Sequence, residues 1–172
     1  MADEPTVDKE FHRRTMEQWH LVRLGLARIK SIFGSAPGPW SDQATFDVRS
    51  FFVRCCHVAD YLVTFDGMVG AQAQAMSDPD LQLCRDSVIN LKHAQMTRAP
   101  WSDDGASAAL RSMTSVDIND HNEVVSARMQ FQVTSGDRTR DALDLARGCV
   151  RAWEAFGLPP HSYFPGGTFQ VG

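Results

Sequence analysis

Apolar residues recur along this chain at two distinct periods. Between about Asp8 and Phe33, the positions Phe11, Trp19, Val22, Leu26, Ile29 and Phe33 return at three- and four-residue spacing, which predicts a long first helix with one buried face. The stretch from Gly34 through Pro37, Gly38 and Pro39 to Trp40 breaks that pattern, and Ser41 or Asp42 is placed to cap a second helix over about 42–65. Its lane of Val48, Phe52, Cys55, Cys56, Ala59, Leu62 and Val63 is wide, so this helix is expected to meet neighbours on more than one side. Gly67 to Met76 fits either a loop or a short helical turn. Ser77, Asp78, Pro79 and Asp80 then read as a helix start capped by Ser77, with Pro in the first turn and an acid at the third position. A third helix should follow to about Met96 with Leu81, Cys84, Val88 and Leu91 on its apolar lane, closed by the turn residues from Ala99 to Gly105.

The period then changes from helical spacing to strict alternation. Val125, Ala127, Met129, Phe131 and Val133 alternate with Ser126, Arg128, Gln130, Gln132 and Thr134, the signature of a strand with one buried face. A lone strand leaves backbone groups unpaired, so a partner is expected within Met113–Ile118, joined through Asn119–Asn122 as a hairpin. After Ser135–Asp137, the positions Ala142, Ala146, Cys149, Val150, Trp153 and Phe156 describe a last amphipathic helix, which Gly157 to Pro160 terminates. The fold class expected is mainly α: an antiparallel helical bundle of about four helices with a β-hairpin inserted before the last helix. One domain over 1–172 is expected, with 1–7 and 165–172 as flexible tails.

Composition changes this picture little, but it removes several function classes. The 172 residues carry 17 Lys plus Arg against 21 Asp plus Glu, a formal net charge of -4, which argues against a chain-wide basic surface for duplex DNA or an anionic membrane. Basic residues such as Arg13, Arg14, Arg138, Arg140, Arg147 and Arg151 are spread among acids and read as solvated faces. No run of about 20 apolar residues occurs, so no membrane-spanning helix is expected. The acidic opening MADEPTVDKEF lacks the basic start and apolar run of a secretory signal, so a cytoplasmic protein is expected. The four cysteines, Cys55, Cys56, Cys84 and Cys149, contain no C-x-x-C pair and are expected as buried, reduced thiols. The phosphate loop, dinucleotide-binding, zinc-protease and nucleophile-elbow motifs are all absent.

Candidate chemistry concentrates on polar lanes of the second and third helices. His57 and Asp60 fall roughly on one side of the second helix, while Asp86, Asn90 and His93 share a lane on the third. If the lanes face one another, their imidazoles and carboxylates can serve acid/base chemistry or form a buried hydrogen-bond network. The third-helix lane points almost opposite Leu81, Cys84 and Val88, which makes plain solvent exposure the stronger reading there. A di-metal reading adds Glu17 and His20 from the first helix, but the matching Asn90 to His93 segment lacks the acid such a centre needs. Neither a metal nor another cofactor is therefore expected.

The segment Arg85-Asp86-Ser87-Val88-Ile89-Asn90-Leu91-Lys92-His93 loosely resembles the HEPN superfamily of helical, often dimeric, metal-independent ribonucleases. That resemblance implies Arg85 as the phosphate-contacting cation, Asp86 as its polar neighbour and His93 as the acid/base group. Seven residues separate Arg85 from His93, more than the four to six of the family pattern. His57-Val58-Ala59-Asp60-Tyr61 followed by Asp86, Asn90, Lys92 and His93 is also similar to a set of uncharacterised bacterial helical proteins over about residues 45–96, which implies a fold and no activity. The leading expectation is a binding or association protein, with His57, Asp60, Asn90 and Lys92 as contact residues. Its partner is a second copy of the chain, RNA or a small molecule, and Trp40, Trp101, Tyr163 and Phe164 offer an interface patch. The alternatives are a HEPN-like endoribonuclease and a metal-binding bundle.

Overall fold

The computed structural model describes residues 11–36, 41–92, 108–136 and 138–160. Five helices, α1 (Arg13–Ile32), α2 (Ser41–Asp66), α3 (Gly70–Ser77), α4 (Pro79–Lys92) and α5 (Ala142–Phe156), accompany three strands, β1 (Ala109–Ile118), β2 (Val124–Ser135) and β3 (Arg138–Asp141). The expectation of a mainly helical chain with antiparallel strands before its last helix agrees with this order. Two elements enlarge it. The stretch read as loop or turn carries α3, and a third strand extends the hairpin into a sheet of order β1-β2-β3. The expected tails, the aromatic patch of Trp40, Trp101, Tyr163 and Phe164, and the turn from Ala99 to Gly105 lie outside the described residues.

Local chemistry sets the starts of α4 and α5 and the end of α5. Asp78, not the expected Ser77, caps α4: its Oδ1 accepts from the backbone N–H of Asp80 at 2.9 Å and of Leu81 at 3.0 Å, because an Asp directly before Pro79 reaches those donors. Asp141 does the same for α5, accepting from Leu143 at 2.8 Å and Asp144 at 3.0 Å. Gly157 ends α5 at φ 121°, a left-handed backbone that a side chain resists. In the β1–β2 turn, Asn119 Oδ1 accepts from the N–H groups of His121 and Glu123, and Asn122 takes φ 61°.

The core joins most of the expected lanes with Phe51, Val58 and Leu145, which lay outside them, while Cys56, Val63 and Phe156 are only partly buried. Trp19, Val22, Leu26 and Ile29 of α1 are buried with Val48, Phe51, Phe52, Val58 and Leu62 of α2, and with Leu145, Val150 and Trp153 of α5. Helices α1 and α2 lie side by side in opposite directions: the Asp66 carboxylate accepts from His12 N–H at 2.6 Å and from the Thr15 hydroxyl, while Arg28 pairs with Asp47 at 2.9 Å. Trp19 Nε1 donates to the Pro159 carbonyl at 2.9 Å, tying the first helix to the segment after the last. Helix α2 touches α1, α3, α4 and α5, as its wide lane requires. Met129, Phe131 and Val133 of β2 are buried, but Val125 is 66% exposed. The alternation therefore forecasts a buried face that stops short, because the outer half of the hairpin extends past the helices. On the other edge of β2, Met129 exchanges backbone hydrogen bonds with Gly34 and Ser35, which anchors the hairpin to the end of α1.

Candidate functional site

Residues of α2, α3, α4 and α5 line a solvent-open cavity of about 410 Å³. Ala59, Ala75, Leu81, Val88 and Trp153 supply apolar wall, while His57, Asp60, Gln72 and Arg85 supply the polar groups. The helical spacing explains this division. Ala59 belongs to the α2 core lane and is buried, whereas half-buried His57 and exposed Asp60 lie toward the edge of that lane. On α4, the Arg85 side chain is 16% exposed and its Nη1 lies 3.7 Å from Asp86 Oδ1.

The structure brings His57, Asp60 and Arg85 to one cavity. Asp86 is not part of its lining, and the solvent-exposed reading of its lane fails at this residue: Asp86 is fully buried. Helix α4 is covered on several sides, by α2, α3, α5 and β1, so a lane opposite the apolar one still meets protein. Asn90 and Lys92 belong to the last turn of α4, but their side chains, and all of His93, lie outside the described residues. On α1, Glu17 pairs with Arg13 at 2.7 Å.

A second arrangement adjoins this cavity. Cys55 of α2, Cys84 of α4 and Cys149 of α5 are buried, unbridged, and have their Sγ atoms within 4.8 Å of one another. Cys55 and Cys84 also line the cavity, and half-buried Cys56 lines it beside them. The Cys84 thiol donates to the Phe52 carbonyl at 3.5 Å and the Cys149 thiol to the Asp80 carbonyl at 3.3 Å. Hydrogen bonding from Cys149, then from Cys84, outweighs burial and lowers the Cys55 thiol to about 5. The Trp153 indole, buried beside the trio, adds to this stabilisation of the Cys55 thiolate. Cys84 is raised, first by its hydrogen bond with Cys149, and Cys149 is raised, first by burial. The trio therefore releases one proton readily and retains the other two.

Sequence reasoning placed these cysteines in the core as reduced thiols and missed that three of them meet. The available signal was that each occupies the apolar lane of its own helix. Equal depth along three helices far apart in the chain is a property of packing. No protein-family model, curated protein or solved structure matches the chain.

Proposed function

We propose that this protein is a binding protein whose helices, arranged as an antiparallel bundle, hold a small molecule with an apolar body and a polar group. The observation that carries the reading is the cavity of about 410 Å³, in which apolar wall is interrupted by His57, Asp60, Gln72 and Arg85. Small-molecule sites have this character: a concave, mostly apolar surface of roughly 300–1,000 Å³ with a few polar groups that fix orientation. A rival groove of about 480 Å³ lies between α1 and α2 and includes exposed Leu24 and Phe46. Titration with 1-anilinonaphthalene-8-sulfonate separates the two. One equivalent should bind with enhanced fluorescence, Ala75→Trp should abolish it by filling the cavity, and Phe46→Glu should leave it intact. Loss of binding in Phe46→Glu alone would move the ligand to the groove and defeat this reading.

The HEPN-like ribonuclease is a second reading, favoured by the placement of Arg85 on a cavity wall beside the buried Asp86 carboxylate. Arg85 would contact a phosphate and His93 would transfer the proton. Cleavage of RNA by the purified protein in EDTA, abolished by His93→Ala, supports it. Intact RNA under those conditions refutes it.

A further inference from the structure

We infer that Cys55, Cys84 and Cys149 form a three-sulfur site for a soft monovalent cation, Cu(I), at the junction of α2, α4 and α5. This goes beyond the small-molecule reading and does not depend on it.

Geometry comes first. Three Sγ atoms on three separate helices lie within 4.8 Å of one another. A trigonal-planar ion with metal–sulfur bonds of about 2.3 Å holds its sulfurs about 4.0 Å apart. Small side-chain rotations close that difference, and no helix has to move. The donor set then selects the metal. Among the described residues, no imidazole nitrogen or carboxylate oxygen joins the three sulfurs. Zinc takes four ligands in structural sites, whereas an all-sulfur set suits a soft ion such as Cu(I).

Coordination is an exchange of protons for the ion. A cysteine binds a metal as its thiolate, so Cys55, Cys84 and Cys149 release their protons to solvent through the cavity as Cu(I) enters, each sulfur gives an electron pair to the ion, and no electron is transferred. The Cys84 and Cys149 sulfurs give up their hydrogen bonds to the Phe52 and Asp80 carbonyls in the same step. Access is provided by the cavity, whose lining includes Cys55 and Cys84 and also the sulfur-bearing side chains of Cys56 and Met76.

The test is an anaerobic titration of the reduced full chain with Cu(I) supplied as its bicinchoninate complex. The protein should withdraw one equivalent, gain sulfur-to-copper charge-transfer absorbance in the near ultraviolet, and melt at a higher temperature than the copper-free form. X-ray absorption should show three sulfur ligands at about 2.3 Å. Cys55→Ser and Cys149→Ser should each lose the bound equivalent, and Cys56→Ser should keep it. If the core variants do not fold, the wild-type stoichiometry and ligand set decide. Failure to take copper from the chelator, nitrogen or oxygen ligands in the absorption spectrum, loss of copper in Cys56→Ser, or retention of Zn(II) in preference to Cu(I) would each overturn the site.

Discussion

Two buried ionisable features set the behaviour of single residues here. Asp86 is fully buried beside Arg85, so Asp86→Ala removes a carboxylate whose neighbour cannot easily return to water. The expected loss is about 3 kcal/mol of unfolding free energy in urea titration. Asp144, by contrast, is 64% exposed in its pair with Arg147, and Asp144→Ala at that pair should cost less than about 1 kcal/mol. Equal losses for the two substitutions would show that burial does not govern Asp86. The thiols add a pH dependence. Cys55 is lowered from an ordinary value of 9.0 to about 5, so its contribution to stability is complete above pH 9 and disappears as pH falls through 5. Cys84 and Cys149 are raised and act in the opposite sense, stabilising below pH 9 and losing that contribution as pH rises through their folded values. Absorbance at 240 nm of the copper-free protein should therefore register one thiolate forming near pH 5, and Cys55→Ala should remove that step.

At the scale of elements, legibility in the sequence followed the strength of the local signal. Helix α1 and strand β2 were readable because Trp19, Val22, Leu26 and Ile29, and then Met129, Phe131 and Val133, carry their period in apolar residues, whereas β1 was inferred over Met113–Ile118 from the need for a pairing partner and begins at Ala109. Strand β3 was not readable. Its four residues, Arg138, Thr139, Arg140 and Asp141, contain no apolar alternation, and it is a strand because the edge of β2 from Gln132 to Ser135 offers hydrogen bonds. The alternation also could not announce where burial ends along β2, since that depends on how far the helices reach. The two halves of that strand should respond differently: Phe131→Ala is expected to cost about 3–5 kcal/mol, and Val125→Lys no more than about 0.5 kcal/mol. Denaturation midpoints of both variants check this, and a large loss for Val125→Lys would mean that the outer hairpin is covered. The Asp141 cap of α5 gives a third measure, with Asp141→Ala expected to cost about 1 kcal/mol.

For the whole molecule, the candidate site was half legible. His57 and Asp60 were selected from a polar lane of the second helix and Arg85 from a motif resemblance, and the three share one cavity, but the depth at which Cys55, Cys84 and Cys149 meet is set by how closely α4 and α5 approach. Gly148 permits that approach. A Cβ there would fall 1.7 Å from Asp80 Oδ2 and 2.6 Å from its Cγ, and Asp80 is held by Arg140 of β3. Gly148→Ala must therefore displace Asp80 or part the helices, at an expected cost of about 1–3 kcal/mol. A calorimetric melt at unchanged temperature would show that α4 and α5 are not locked there. The bond from the Trp19 indole to the Pro159 carbonyl bears on how the molecule is made. A ribosome extrudes residue 19 long before residue 159, so throughout translation the nascent first helix presents its oily side without the cover that completes it. Chaperone occupancy on stalled chains should accordingly persist until α5 has cleared the exit tunnel.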